Sequence, residues 1–342
     1  MSVVQHVEQE IFEPTLLCDR KGNLNPAAIG YARKPVIQCN LRGNFMRKKR
    51  WNCWSIYGDE MMFSATVSHL DYAVLCNVYV FEYETQRYFE KNMILPIGAL
   101  TKMSKNVYET TSFRTHNTSV LFKYEASITN LQITINNFNE EPLTANLHIE
   151  HPHDDDSLNL VIPWNRQTFQ FTAKHHTLPT SGTVNIGNRT FSFGRDDSFA
   201  VLDYGRGIWP RQASWNWGMA SQRIGKRRIG LNFGGKWTDG TGLTENAIFI
   251  DGQMQKISED VQFIYDRTNF MKPWKIESKF TNRVRLTFEP FYERIATSNT
   301  PLLKYETHQM FGYYNGRIQL DNGSWLHIPQ MIGCVEECMT TW

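Results

Sequence analysis

Along most of this chain apolar and polar residues change places at every second position, and stretches with the three-to-four-residue spacing of an amphipathic helix are hard to find. In MMFSATVSHL, Phe63, Ala65, Val67 and His69 alternate with smaller or polar neighbours, the period of a strand with one buried face. The run 72–83 repeats the beat with Val74, Cys76, Val78 and Val80, then turns at Glu84-Thr85-Gln86. Comparable runs follow at 119–125, 131–136, 143–150, 167–173, 183–186, 189–193 and 199–203, and continue to the end of the chain. Gly187-Asn188, Asp251-Gly252, Asn315-Gly316 and Asn322-Gly323 read as tight turns between strands, because Gly, Asn and Asp tolerate positive φ. More than about twenty short strands exceed what one small barrel holds, and 342 residues exceed the length at which a single core stops growing. The pattern predicts an all-β chain of two antiparallel barrels or sandwiches side by side.

Composition singles out one stretch, 199–237. It holds Trp209, Trp215, Trp217 and Trp237, four of the ten tryptophans, beside Asp203, Tyr204 and Arg206. Indoles gathered around a few polar groups are the usual lining of a small-molecule pocket. A carboxylic acid among such rings has its ionised form disfavoured and becomes a proton donor near neutrality, provided no cation sits against it. The structural alternative takes the tryptophans as barrel core and Asp203–Arg206 as a buried ion pair. The local pattern reads as a strand entering a Gly205-Arg206-Gly207 turn, with two further strands after it.

Charge removes several function classes. Thirty-six Lys and Arg stand against 34 Asp and Glu, a net charge of +2. Nucleic-acid binding requires dense basic surface, so it is not expected. Arg47-Lys48-Lys49-Arg50 is the one basic cluster and reads as a solvated strand end. No apolar run approaches the roughly 20 residues of a membrane helix, and MSVVQHVEQEIFEP lacks the apolar segment of a secretory signal. Six cysteines without the close pairs of a zinc site suit reduced thiols, so a cytoplasmic location is expected. His151-Pro152-His153-Asp154-Asp155-Asp156 contains metal-ligand types, but neighbours on an extended chain point to opposite faces, and no metal or cofactor is expected. Serine-hydrolase, phosphate-loop, metalloprotease and dinucleotide-binding signatures are absent from the sequence.

Four ordered segments carry a resemblance: RKKRWNCWSIYGDEMMFSATVSHLDYA, LDYGRGIWPRQASWNWGMASQ, TENAIFIDG and IGCVEECMTTW. From Cys18 to Trp342 the chain resembles the domain-of-unknown-function 2804 family, which implies no assigned activity. More distantly it resembles the lipocalin-like double-barrel group of carotenoid hydratases, AttH-like proteins and fungal Diels-Alderases. That group places an Asp-His-x-Trp motif late in its first barrel and closes with spaced glycines and a glutamate. Here Asp203-Tyr204 stands where Asp-His would be, Trp215-Asn216-Trp217 matches the following tryptophan strand, and 312–336 resembles the ending. With Tyr204 in place of His, only Asp203 is inherited as an acid. The resemblance implies two lipocalin-like barrels, 1–237 and 238–342, whereas strand counting alone would divide the chain near His151.

Together these readings lead to an expectation of a protein that holds a small, largely apolar molecule in a tryptophan-lined cleft between two barrels. Asp203 is the candidate general acid, with Tyr204 and Arg206 beside it. Trp54, Trp209, Trp215, Asn216, Trp217, Glu245, Asn246 and Glu336 are the candidate ligand contacts. Two alternatives remain open: an acid-catalysed hydratase or cyclase for an isoprenoid or polyene, and a carbohydrate-active protein using indole stacking and a carboxylate pair.

Overall fold

In the computed structural model, which describes residues 7–342 except 97, 99 and 302, the chain is almost entirely antiparallel sheet. Two compact units divide it. The larger comprises Ile11–Ile208; the smaller comprises Trp209–Trp342 together with residues 7–10 of the N-terminal segment. Each is built on one strongly curled sheet, the half-barrel form of the expected architecture.

In the larger unit the main hydrogen-bonded path has fourteen strands with its side branches. It runs Arg87–Pro96, Ala73–Glu82, Met61–His69, Lys48–Tyr57, Phe199–Ile208, Phe169–Ile186, Glu141–Glu150, Ile128–Phe138, Thr118–Glu125, Thr111–Arg114 and Thr101–Lys102. The 18-residue strand Phe169–Ile186 makes the curl. Its first half pairs with Phe199–Ile208 and Leu158–Pro163, its second half with Glu141–Glu150 and Arg189–Phe193. Between the halves the register slips at His175/Leu178, and Thr177 takes a positive φ of 55°. A bulge of this kind bends the strand and increases its twist, so one strand serves both sides of the curl. The enclosed face carries the core, with Trp54, Val67, Val78, Phe122, Ile133, Leu147, Phe171 and Tyr204 among its members.

The smaller unit orders nine strands as Gln253–Lys256, Ala247–Ile250, Arg227–Gly235, Gln212–Ile224, Trp325–Thr341, Lys304–Gln319, Val284–Asn299, Trp274–Ser278 and Val261–Ile264. One face holds a second core that includes Leu231, Trp274, Leu286, Tyr314 and Val335. The sequence places the division at Trp237. Gln212–Ile224 and Arg227–Gly235 pair with Trp325–Thr341 and Ala247–Ile250, so 209–237 lies within the smaller unit and the division falls after Ile208.

Turn chemistry explains most connections. Gly187-Asn188 and Asp251-Gly252 close two-residue hairpins at Ile186↔Arg189 and Ile250↔Gln253. Gly323, φ 83°, lies in the turn leading into Trp325–Thr341. Asn315-Gly316, read as a turn, instead lies inside Lys304–Gln319 at a register shift. Gly316 has φ 134°, and a Cβ there would come 2.2 Å from the Arg285 carbonyl oxygen, so the glycine permits a bulge where the neighbouring backbone passes close.

Candidate functional site

Asp203 and Arg206 were expected to converge; the strand separates them. Residues 199–208 form one continuous strand, so Gly205-Arg206-Gly207 is strand interior and not a turn. Three positions apart, Asp203 and Arg206 project from opposite faces. Asp203 lies between Lys174 and Cys53 in the ladder. Its Oδ1 is 2.8 Å from Lys174 Nζ and accepts from Thr172 Oγ1 at 3.4 Å. Burial is the main cause that pushes the adjacent Cys53 thiol up to about 11, with the Asp203 charge adding to it.

On the enclosed face, Arg206 is 2% exposed and donates to the carbonyl oxygens of Trp51, Gly205 and Ser104 at 2.7, 2.6 and 2.8 Å, and to Ser104 Oγ at 3.1 Å. Its guanidinium carbon stands 3.8 Å from the centroid of the Tyr204 ring, and burial lowers its pKa. The group thus fastens the Ser104 segment to two strands. Tyr204 is fully buried and its hydroxyl is pushed up by burial.

The tryptophans of the central stretch belong to the smaller unit. Trp209 lies 5.5 Å from Trp237, 5.8 Å from Trp215 and 5.6 Å from Trp342, ring centroid to ring centroid. The chain supplies a partner for each indole N–H with a resolved bond. Trp215 donates to Glu336 Oε1 at 2.9 Å, Trp237 to Glu245 Oε1, Trp342 to the Pro210 carbonyl at 3.0 Å and Trp217 to Asn232 Oδ1 at 3.0 Å. Glu336 also accepts from Gln309 at 3.2 Å. Glu245 is 2% exposed and lies against Gly234, where a Cβ would come within 2.0 Å of its Oε1. Asn246 accepts from the Gly234 N–H at 2.8 Å and donates to the Glu259 carbonyl at 2.9 Å. Asn216 projects from the other face of its strand and donates to the Tyr265 hydroxyl at 3.1 Å and the Glu336 carbonyl at 3.2 Å. Trp209, Trp215, Trp237 and Trp342 are thus gathered with Glu245 and Glu336, and the N–H groups of Trp215, Trp237 and Trp342 are bonded to those two carboxylates and to the Pro210 carbonyl, while Asp203 and Trp54 lie in the larger unit.

Trp54 is set apart from that group. It points into the enclosed face of the larger unit, and the structure places there a second aromatic cluster that the sequence pattern does not assemble. Around His151 stand Trp54 at 6.0 Å, Tyr108 at 5.2 Å, Tyr124 at 5.5 Å and His175 at 6.1 Å, all edge to face. Tyr108 stacks on Tyr124 at 4.6 Å and meets His175 at 5.8 Å. His151 Nε2 is 2.8 Å from Thr129 Oγ1. Three buried nitrogens of the cluster have no hydrogen-bond partner among the described residues: Trp54 Nε1, His151 Nδ1 and His175 Nε2. Trp54 and His175 are each 2% exposed and His151 7%, whereas Tyr108 is 36% exposed and marks the side on which the cluster meets solvent. Burial drives the His151 pKa down to about 4. Burial, reinforced by His151, His176 and Lys34, drives that of His175 well below the usual imidazole value, so both rings are neutral near pH 7.

Different elements deliver these rings. Tyr124 shares the inward face of its strand with Val120 and Phe122, Trp54 comes from the opposite side of the curl, and His175 precedes the bulge. His151 follows the Glu141–Glu150 strand and turns inward, while His153 stays in solvent and Asp156 pairs with Arg33 at 3.1 Å and Lys34 at 3.8 Å. Among the described residues no group of three or more His, Cys, Asp or Glu is arranged to hold a metal ion. The alternation that placed Phe122 inward also places Tyr124 there, a usable signal. His175 extends the inward alternation of Phe169, Phe171 and Ala173, a signal the strand pattern also carries, whereas His151 carried none, because loop geometry sets its direction.

The basic run is also resolved. Lys48 and Arg50 both pair with Asp71, and Arg50 contacts His69. Lys49 is buried with its ammonium 4.7 Å from the Tyr72 ring centroid, and burial lowers its pKa to about 8.

Residues 8–342 match the family model described as "Domain of unknown function (DUF2804)", and the chain belongs to that family. No curated protein matches it significantly. Among solved structures it is similar to a protein described as AttH from Nitrosomonas europaea, with 10% identity, a TM-score of 0.51, and 86% of this chain and 93% of that one covered. CghA gives 8% identity and a TM-score of 0.52 over 86% and 88%. Kievitone hydratase from Nectria haematococca gives 11% identity and a TM-score of 0.51 over 88% and 90%. At these identities the likeness concerns the fold.

Proposed function

We propose that this member of the DUF2804 family binds a small, largely apolar molecule within the curled sheet of its larger unit, with the aromatic–histidine cluster as the polar end of the site. The observation that carries the reading is the set of three unpartnered, buried nitrogens on Trp54, His151 and His175. Buried polar atoms are nearly always hydrogen-bonded, and each one left without a partner costs about 1–3 kcal/mol. A molecule that supplies those bonds and lays an apolar body against Tyr108, Tyr124 and the neighbouring core recovers that cost. An apolar lining with a few convergent polar groups is the composition of a small-molecule site. The fold shared with a hydratase is compatible with this reading and carries no chemistry on its own.

The hydratase or cyclase reading assigns proton donation to Asp203, whose carboxylate is ion-paired with Lys174. The carbohydrate reading needs a free carboxylate pair; Asp203 is ion-paired with Lys174, and Glu245 and Glu336 each accept from an indole N–H. Both therefore have weaker support than binding. A cytoplasmic location belongs to the same proposal, supported by six free cysteines.

Mass spectrometry of the natively folded protein tests the binding reading. The expected result is a co-purifying or added small molecule that is lost in a Trp54→Phe, His175→Phe double variant. Retention of the same molecule by that folded variant overturns it.

A further inference from the structure

We propose that the group received by the Trp54–His151–His175 cluster is a neutral hydroxyl, phenolic or alcoholic, on an otherwise apolar molecule, in preference to a carboxylate, an ammonium or a plain hydrocarbon. This rests on the binding reading above and specifies its ligand. Indole Nε1–H is a donor only. A neutral imidazole always has one nitrogen with a lone pair, so the two histidines together bring acceptor as well as donor capacity. Trp54 Nε1, His151 Nδ1 and His175 Nε2 lie on neighbouring rings and are all buried.

Trp54 is fixed as a donor while each imidazole nitrogen donates or accepts according to its tautomer, so a partner that can both accept and donate fits the set in every tautomer. A hydroxyl does so with one oxygen, accepting from Trp54 and donating to an imidazole. A carboxylate or ketone only accepts, and satisfies the set only when both imidazoles carry their proton on the free nitrogen. An ammonium only donates, and meets the Trp54 N–H head on.

Charge gives the same ranking. The charged or titratable groups that bear on the cluster are Lys34, Asp155, His176 and the tyrosines Tyr108 and Tyr124. Lys34 Nζ is turned to the carbonyl oxygens of His153 and Asp155 at 3.1 and 2.6 Å, and lies 3.8 Å from Asp156. No cation is thereby directed at the three nitrogens among the described residues. An anion brought there would be desolvated without a counter-charge, which is expensive, whereas a hydroxyl exchanges its water bonds for equivalent ones. Tyr108 and Tyr124, stacked at 4.6 Å, provide a flat wall beside the polar atoms, which suits a planar ring bearing the hydroxyl.

Three probes of one shape separate the possibilities: 2-naphthol, naphthalene and 2-naphthoate, each titrated into the full-length protein at pH 7.5 and followed by calorimetry. The expected order is naphthol tightest, by about tenfold or more over each of the others, the factor one or two added hydrogen bonds supply. Trp54→Phe and His175→Phe are expected to bring naphthol down to the naphthalene level without weakening naphthalene. If either variant fails to fold, the probe order in the unaltered protein still decides. Naphthalene or naphthoate binding as tightly as naphthol overturns the hydroxyl assignment alone. Binding of none of the three overturns the small-molecule reading of this cluster as well.

Discussion

Two clusters of rings, one in each unit, use aromatic side chains in opposite ways. In the smaller unit Trp209, Trp215, Trp237 and Trp342 pack against one another, and Glu336, Glu245 and the Pro210 carbonyl accept their N–H groups. In the larger unit Trp54, Tyr108, Tyr124, His151 and His175 pack as closely, yet among the described residues three of their nitrogens find no hydrogen-bond partner. Aromatic density alone therefore does not mark a binding site. The polar atoms do: where the chain satisfies them the cluster holds the fold together, and where it does not, an outside molecule has something to bond.

The contrast breaks most visibly in stability. Trp209→Ala removes a ring that is 5% exposed and touches three indoles. Chemical denaturation of the smaller unit is expected to show a loss of about 3–5 kcal/mol, the range for a buried aromatic truncated to alanine. A loss below about 1 kcal/mol would show that the tryptophans are not its structural support.

Acid sharpens the other side. His151, at about 4 in the folded state against its ordinary value of 6.5, binds its proton more readily when unfolded. Its contribution to stability is therefore fully present above about pH 6.5 and is lost as pH falls toward 4. A tenfold difference in proton affinity is worth about 1.4 kcal/mol, so the gap between the two values amounts to about 3 kcal/mol from His151. His175 acts in the same direction. The unfolding midpoint in urea is expected to fall between pH 6.5 and 4, and His151→Gln to flatten that slope. An unchanged slope in the variant would assign the acid sensitivity elsewhere.

Asp203→Asn tests a residue that belongs to neither cluster. It removes the charge that Lys174, 6% exposed at its side chain, faces at 2.8 Å, and is expected to cost about 1–3 kcal/mol. The partly exposed carboxylate keeps the loss below that of a fully buried pair. Lys174→Met in the same background is expected to restore most of it, and failure of that rescue would argue against the ion pair as the role of Asp203.

The smallest effect compares two indoles directly. Trp54→Phe deletes an unpartnered donor and is expected to change stability by less than about 1 kcal/mol, whereas Trp215→Phe leaves Glu336 Oε1 without its donor and is expected to cost about 1–2 kcal/mol. Equal costs would remove the distinction between the clusters.

Much of the fold was legible along the chain. Alternation at Phe63, Ala65 and Val67 reported an inward face, and all three are fully buried. Gly187-Asn188 and Asp251-Gly252 announced their hairpins, whereas Ala126-Ser127 makes an equally tight one with positive φ and no Gly, Asn or Asp, so its composition is silent. The tryptophan-rich stretch was visible as a density of one residue type. That Arg206 would bond to Ser104 and Trp51, and not to Asp203, depended on strand continuity through two glycines that read as a turn.

The sequence by itself determined the all-β class, the approximate number of strands and the family, because side-chain period and turn chemistry are local properties. It also showed which residues were rich enough in chemistry to matter. Only the tertiary structure decided which of them meet. Asp203 and Lys174 are 29 positions apart and paired by register; Trp54, Tyr108, Tyr124, His151 and His175 span more than a hundred residues and are brought together by the bend of Phe169–Ile186. Which buried nitrogen finds a partner is a property of that closure, and no local pattern encodes it.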